Sequence, residues 1–325
     1  MKIRVAVIYG GRSGEHEISI RSAKSILAGL DGERYEISEF FIDPSGKWSP
    51  RAILPEPDAH PDIDVVFPVL HGTFGEDGTV QGLLELAGLP YVGAGVLASA
   101  VAMDKEMMKR VAMERGLPVV EYLVRTRGQL DPQPIADCFP YPVFVKPANL
   151  GSSVGISKVH NAGELGPALR LAAEFDRKII VERGIEGREF ECAVLGNDDP
   201  VASLPCEILP SKEFYDYEDK YLLDRAEFRL PAELSEAKTA ELQRLAIEGY
   251  RAVGCEGMAR VDFLLETATQ KLYLNEINTI PGFTSISMYP KMWEHSGLKF
   301  SALLDRLIEL ALERQKARTA TRFSR

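Results

Sequence analysis

The sequence predicts an α/β protein of two or three domains, on three observations. Strands and helices alternate through its first third, two late apolar strands carry ionic residues, and 325 residues exceed one core of typical size. Ile3 to Tyr9 is a continuous apolar strand, followed by Gly10-Gly11 and a helix from about Glu15 to Leu30. Tyr35 to Asp43 and Val65 to Leu70 read as further strands, and Thr79 to Gly88 as a helix ended by glycine. That rhythm indicates a parallel sheet with helices packed on it. Its ligand loops should lie at the carboxyl ends of the strands. Those ends carry Gly10-Gly11-Arg12-Ser13-Gly14-Glu15 and the segment His71 to Gly78, "HGTFGEDG".

Gly93-Ala94-Gly95 marks a boundary, so residues 1–95 form the first expected domain. Asp104 to Arg115 is helical, and a Pro-containing stretch, 131–142, separates it from the strand Val143 to Lys146. Helix Ala162 to Phe175 and strand Lys178 to Glu182 complete a middle domain, 96–185. A last domain, 186–325, runs from strand Glu189 to Leu195 to an amphipathic helix near Ser301 to Gln315. No internal repeat or low-complexity stretch appears.

The late strands are Met258 to Leu265 and Lys271 to Ile277, joined by the polar turn Glu266 to Gln270. A hairpin closing about Ala268 sets Arg260 opposite Glu276. Alternation then puts Arg260, Asp262, Glu276 and Asn278 on one side with Leu264, Leu272 and Leu274, an arrangement that tolerates a two-residue slip. Ionic groups on a largely apolar face are costly unless paired or bound to metal. Two carboxylates and an amide suit a hard cation such as Mg²⁺, whose shell phosphate oxygens often complete. The plainer reading is an Arg–carboxylate pair on a wet face.

Composition narrows the function classes. A net charge of −10 argues against nucleic acid as the main partner. The four cysteines show no CxxC spacing, and the five histidines no zinc motif, which fits a reduced cytoplasmic protein. The chain enters a strand directly, without a signal peptide, and no apolar run reaches membrane-spanning length.

Five further segments have chemistry to offer. "KPANLGSSVG", Lys146 to Gly155, could cradle phosphate with backbone N–H groups and a lysine, or be an ordinary turn. Lys105 opposes the dipole of its own helix, which a phosphate contact would explain and a solvated charge would not need. "IIVERGIEGREF", Ile179 to Phe190, offers a crossing whose backbone could read an adenine edge, with Glu189 for ribose hydroxyls; otherwise it is a connector. "LPSKEFYDYEDKY", Leu209 to Tyr221, reads as a lid, or as a helix with Tyr217 and Tyr221 in one stripe. "NTIPGFTSISMYP", Asn278 to Pro290, exposes N–H groups that could hold a carboxylate or oxyanion.

In order along nearly the whole chain, "GGRSGEHEIS", "HGTFGEDGTVQG", "MDK", "KPANLGSSVG", "VERGIEGREF", "FYDYEDKY", "RVDF" and "NEINTIPGFTSISMYP" resemble the ATP-grasp family, specifically its D-alanine–D-alanine ligases. The resemblance implies three α/β domains with ATP held between the middle and last. Lys105 and Lys146 would hold phosphates under the 151–155 loop, with Ser152 and Ser153. Glu182 and the backbone at Gly184 and Ile185 would take adenine, Glu189 ribose, and Phe214 and Lys220 would lie near the nucleotide. Asp262, Glu276 and Asn278 would bind two Mg²⁺ or Mn²⁺ ions, with a monovalent cation as a further expectation.

The same resemblance implies that a first D-alanine is activated as an acyl phosphate and attacked by the amine of a second. Arg260 and the Gly282 N–H would stabilise the oxyanion, and Glu15 would anchor the first ammonium. Ser287 and Met288 would take the second carboxylate, His71 would line the substrate site, and Glu15, Ser152 and Tyr221 would form a hydrogen-bonded trio. A neutral phenol at Tyr221 favours an amine acceptor over D-lactate. The resemblance also implies a homodimer. The rival readings are a ligase using D-lactate or D-serine and a nucleotide-binding module without chemistry.

Overall fold

A computed structural model describes residues 2–151, 154–209 and 227–322. The chain opens β1 (Ile3–Gly10), α1 (His16–Gly29), β2 (Tyr35–Ile42), β3 (Trp48–Ser49), β4 (Val65–Val69), α2 (Thr79–Leu86). Strand order is β3-β2-β1-β4, with β1 parallel to both neighbours and β3 antiparallel to β2. The unbroken apolar run of β1 has a physical reason. Val5 and Val7 face one core with Ala23 and Ile26 of α1, while Ala6 and Ile8 face another with Val80 and Leu84 of α2.

The middle comprises α3 (Val96–Met103), α4 (Lys105–Glu114), β5 (Tyr122–Thr126), α5 (Gln133–Ala136), β6 (Val143–Pro147), β7 (Ser157–Val159), α6 (Ala162–Phe175) and β8 (Lys178–Arg183). Its sheet, β5-β8-β6-β7, is antiparallel throughout. Asp104 caps α4, its carboxylate accepting from the Met107 N–H at 3.1 Å. Leu165, Leu169 and Ala172 of α6 pack on Val143, Val145, Ile179 and Val181 of the sheet.

The remainder holds β9 (Gly187–Leu195), β10 (Val201–Ala202), β11 (Cys206–Leu209), β12 (Glu227–Arg229), α7 (Glu236–Ala252), β13 (Met258–Glu266), β14 (Leu272–Asn278), α8 (Met288–His295) and α9 (Phe300–Thr319). Five strands follow the order β12-β11-β9-β13-β14, and β10 pairs with β9. One face is apolar: Phe190, Cys192, Val261, Phe263 and Leu265 pack with Leu242, Leu245 and Tyr250 of α7. The other carries the ionic residues.

Two details of the late hairpin depart from the sequence reading. Arg260 pairs with Asn278 and Asp262 with Glu276, two residues from the expected register. The register then shifts between Asp262 and Phe263, so that Phe263 meets Leu274 and Asn275 is the extra residue of a β-bulge. The bulge reverses the alternation. Leu272 and Leu274 therefore join the apolar core with Phe263 and Leu265, not the face of Glu276 and Asn278 as expected.

Candidate active site

The polar sheet face forms the floor. By alternation Glu189 and Glu191 on β9 share it with Arg260 and Asp262 on β13, and Asp262 pairs with Glu191 on one side and Glu276 on the other. Arg260 neutralises part of this carboxylate cluster. Arg260 donates from Nε to Asp262 Oδ1 at 2.8 Å and from Nη2 to Oδ2 at 2.6 Å, a bidentate fork, and its Nε lies 3.1 Å from Glu191 Oε1. Burial opposes the guanidinium charge, but Asp262 and Glu191 more than offset it and raise its pKa well above the ordinary value. The Arg–carboxylate pair thus exists, but out of water: Asp262 is 2% exposed. Arg260, Glu276 and Asn278 line the cavity above. Asp262, Glu276 and Asn278 offer oxygen donors from two neighbouring strands, a donor set that suits a hard divalent cation, with Asp262 held by Arg260 just beneath the cavity lining.

A cationic wall stands beside this floor. Lys105 begins α4, where its backbone N–H donates to Ala148 O at 3.0 Å and its Nζ to Leu150 O at 2.5 Å, fastening the helix to the loop after β6. Lys146 Nζ donates to Glu182 Oε2 at 2.7 Å, and Lys109 Nζ sits 3.0 Å from Glu182 Oε1. Burial alone would raise the Glu182 pKa; the two ammonium groups outweigh it and hold the carboxyl down at about 2. Gly184 and Ile185 form the crossing from β8 to β9, and the Gly184 N–H donates to Pro142 O at 2.9 Å. Glu189, half-buried, opens the polar face of β9.

The third wall joins the first parallel sheet to the loop before α8. Glu15 stands at the start of α1 and lines the cavity with His71 and Glu76. Its Oε1 lies 3.3 Å from where a Cβ on Gly151 would sit, so the missing side chain lets Gly151 approach Glu15. These three side chains lie close enough to suggest a cation site. Their bonding argues otherwise. His71 Nε2 meets Ser22 Oγ and Nδ1 meets Ile280 O, each at 3.0 Å, so both ring nitrogens are taken. Glu76 accepts from the Gly72 N–H at 2.6 Å and the Ile280 N–H at 3.3 Å. Burial, then the charge of Glu15, raises its pKa well above the carboxylate range. Burial likewise lowers that of His71, against the pull of Glu15. The cluster is a polar joint tying the end of β4 to the 278–283 loop.

Across the cavity, a Cβ on Gly282 would fall 2.6 Å from Ser287 Oγ, which Thr284 N–H and Oγ1 fix at 3.0 and 2.8 Å. Ser287 and Met288 open α8, where unsatisfied N–H groups favour a carboxylate. The sequence reading has a loop here and misses that helix. It also misses Glu76, Glu191 and Lys109, although Glu191 follows Glu189 by two on one strand and Lys109 follows Lys105 by four on one helix. Ser152, Ser153, Phe214, Tyr217, Lys220 and Tyr221 lie outside the described residues.

One cavity thus joins Glu15, His71, Lys105, Arg260, Glu276, Asn278, Gly282, Ser287 and Met288. Residues 4–61 and 50–94 match the family described as "D-ala D-ala ligase N-terminus", and 111–309 match "D-ala D-ala ligase C-terminus". A protein of Solibacter usitatus named D-alanine--D-alanine ligase is 71% identical over 327 residues, covering 100% of each chain. One of that name from Thermoanaerobacter sp. is 49% identical, covering 96% of this chain and 97% of its own. Among solved structures, the Coxiella burnetii D-alanine-D-alanine ligase superposes with a TM-score of 0.88 at 42% identity, over 98% of this chain and 96% of that one. VanG D-Ala:D-Ser ligase from Enterococcus faecalis gives 0.88 at 36%, over 96% and 100%. Matched end to end by sequence and by fold, the chain has the ATP-grasp architecture and belongs to the D-alanine–D-alanine ligase family.

Proposed function

We propose that this protein joins two D-alanine molecules, using ATP to activate one carboxylate as an acyl phosphate and releasing ADP and phosphate. The observation that carries the reading is the single cavity in which Glu15, Lys105 and the α8 N-terminus surround Arg260 and the oxygen donors Glu276 and Asn278. A carboxylate acylates poorly, so it must first receive the γ-phosphoryl group. Lys105 and Lys146 hold the phosphates and oppose their growing charge. Asp262, Glu276 and Asn278 would hold divalent ions, which when bound neutralise phosphate oxygens.

Glu15 takes the first ammonium group, and the α8 N-terminus at Ser287 and Met288 takes the second carboxylate. The acceptor amine then attacks the acyl carbon, the Gly282 N–H and Arg260 stabilise the oxyanion, and collapse expels phosphate. Glu182 with Gly184 and Ile185 reads the base, and Glu189 the ribose. Residues 1–95, 96–185 and 186–325 act as three domains, in a cytoplasmic homodimer that supplies peptidoglycan precursors. The 71% relative supports D-alanine over D-serine as acceptor. Phosphate release is measured with ATP and Mg²⁺ against D-alanine, D-serine and D-lactate. Release strictly dependent on D-alanine, with dipeptide in the product, is expected. Release indifferent to D-alanine would overturn the reading.

A further inference from the structure

Lys109 is wholly buried, yet sequence pattern gives it no partner and the reaction above no task. It lies one helical turn beyond Lys105 on α4 and, unlike Lys105, does not line the cavity. Its ammonium group instead faces Glu182 Oε1 at 3.0 Å, while Lys146 holds Oε2 at 2.7 Å. Two cations therefore share one anion, and only Lys146 is on the side assigned to phosphate.

We propose that Lys109 is a positioning residue for the nucleotide: by holding one oxygen of Glu182, it lets Lys146 leave that carboxylate for phosphate. The inference rests on the assignment of Lys146 and Glu182 to ATP. Without Lys109, Lys146 and Glu182 would form a closed neutral pair. A phosphate oxygen would then have to break it and strand a carboxylate that is 3% exposed, which is costly. With Lys109 in place, Glu182 keeps a counter-ion wherever Lys146 points.

The mounting suits this role. Lys178, at the start of β8, binds Asp104, the cap of α4, and Glu106 within that helix at 2.6 and 2.8 Å, and Glu182 near the end of the same strand pairs with Lys109. Helix and strand are clamped at two points, so Lys109 is fixed, while Lys146 reaches Glu182 from a different strand, β6.

The test is calorimetric binding of a non-hydrolysable ATP analogue, with Mg²⁺, to the full chain and its variants. K109M should weaken binding about tenfold, whereas K109R, which keeps the charge, should stay within about threefold. In an E182Q background no anion needs a counter-ion, so adding K109M should change affinity less than about twofold. That second comparison also decides the matter if K109M alone does not fold. K109M binding as tightly as the parent, or an equal loss in both backgrounds, would overturn the proposal. A parent chain that binds no analogue would sink the nucleotide assignment as well, while a parent that binds it but ligates nothing would sink only the ligase reading.

Discussion

Glu182, 3% exposed between two ammonium groups, contributes stability only while it is ionised. Its folded-state pKa of about 2 lies below the value of an unfolded chain. The contribution is therefore present above the unfolded value and fades as pH falls from about 4.5 toward 2. Holding a carboxyl that far below its ordinary value corresponds to about 3 kcal/mol, the order expected for breaking a buried ion pair. Urea unfolding of Glu182→Gln should show that loss at pH 7, and the gap to the parent should close on acidification through this window. Curves that stay parallel would refute it. Gly282→Ala is a second test, because its Cβ would meet Ser287 Oγ at 2.6 Å where Thr284 holds that hydroxyl. The cavity wall at Gly282 must shift, so kcat/KM for D-alanine should fall about tenfold or more while the melting temperature drops only slightly, as for modest overpacking. At this scale, legibility follows incongruity. Arg260, Asp262 and Glu276 stand out as ions on apolar strands; Lys109 does not, because a lysine on an amphipathic helix reads as solvated until the partner across the core is known.

Elements are legible where the pattern is regular, and β1, α1, α6 and β8 fall close to their expected bounds. The hairpin β13–β14 is legible as two strands but not as a register. Alternation assumes one residue opposite one, and nothing local in Leu274-Asn275-Glu276 announces a bulge. Yet the bulge lets Leu272 and Leu274 face α7 while Glu276 and Asn278 face the cavity. Deleting Asn275 makes Leu274 and Glu276 consecutive, so strict alternation returns with both sets still on their proper sides. The expected outcome is D-alanine-dependent phosphate release within about tenfold of the parent, with stability reduced by no more than about 2 kcal/mol, since no leucine is exposed and no carboxylate enters the core. A loss of more than about a hundredfold would show that the bulge itself, and not only the facing it permits, sets the site.

At the scale of the whole molecule, the first sheet shares its cover with the far end of the chain. Val5, Val7, Phe67 and Val69 pack in one core with Leu303, Leu304, Leu307 and Ile308 of α9, and with Phe283 and Trp293 around α8. Residues from opposite ends of the chain thus exclude water from the same space, which no local pattern in either segment announces. Arg314 adds a polar tie, donating to the carbonyls of Gly93 and Tyr91 and stacking its guanidinium 4.3 Å from the Tyr91 ring. The site benefits directly, because Glu15 stands at the start of α1, which packs on the first sheet, while Gly282 and Ser287 precede the helices that cover it. Independent unfolding of the first sheet should therefore be suppressed. The two tryptophans report on each side: Trp48 on β3 and Trp293 on α8. Followed in single-tryptophan variants, their urea transitions should coincide. Leu307→Ala removes a side chain buried to 0% exposure in the shared core, so it should destabilise by about 2–5 kcal/mol and move both transitions by the same amount. A shift at Trp293 that leaves Trp48 in place would mean that the first sheet stands without α9, and that the distance from Glu15 to Gly282 is set elsewhere.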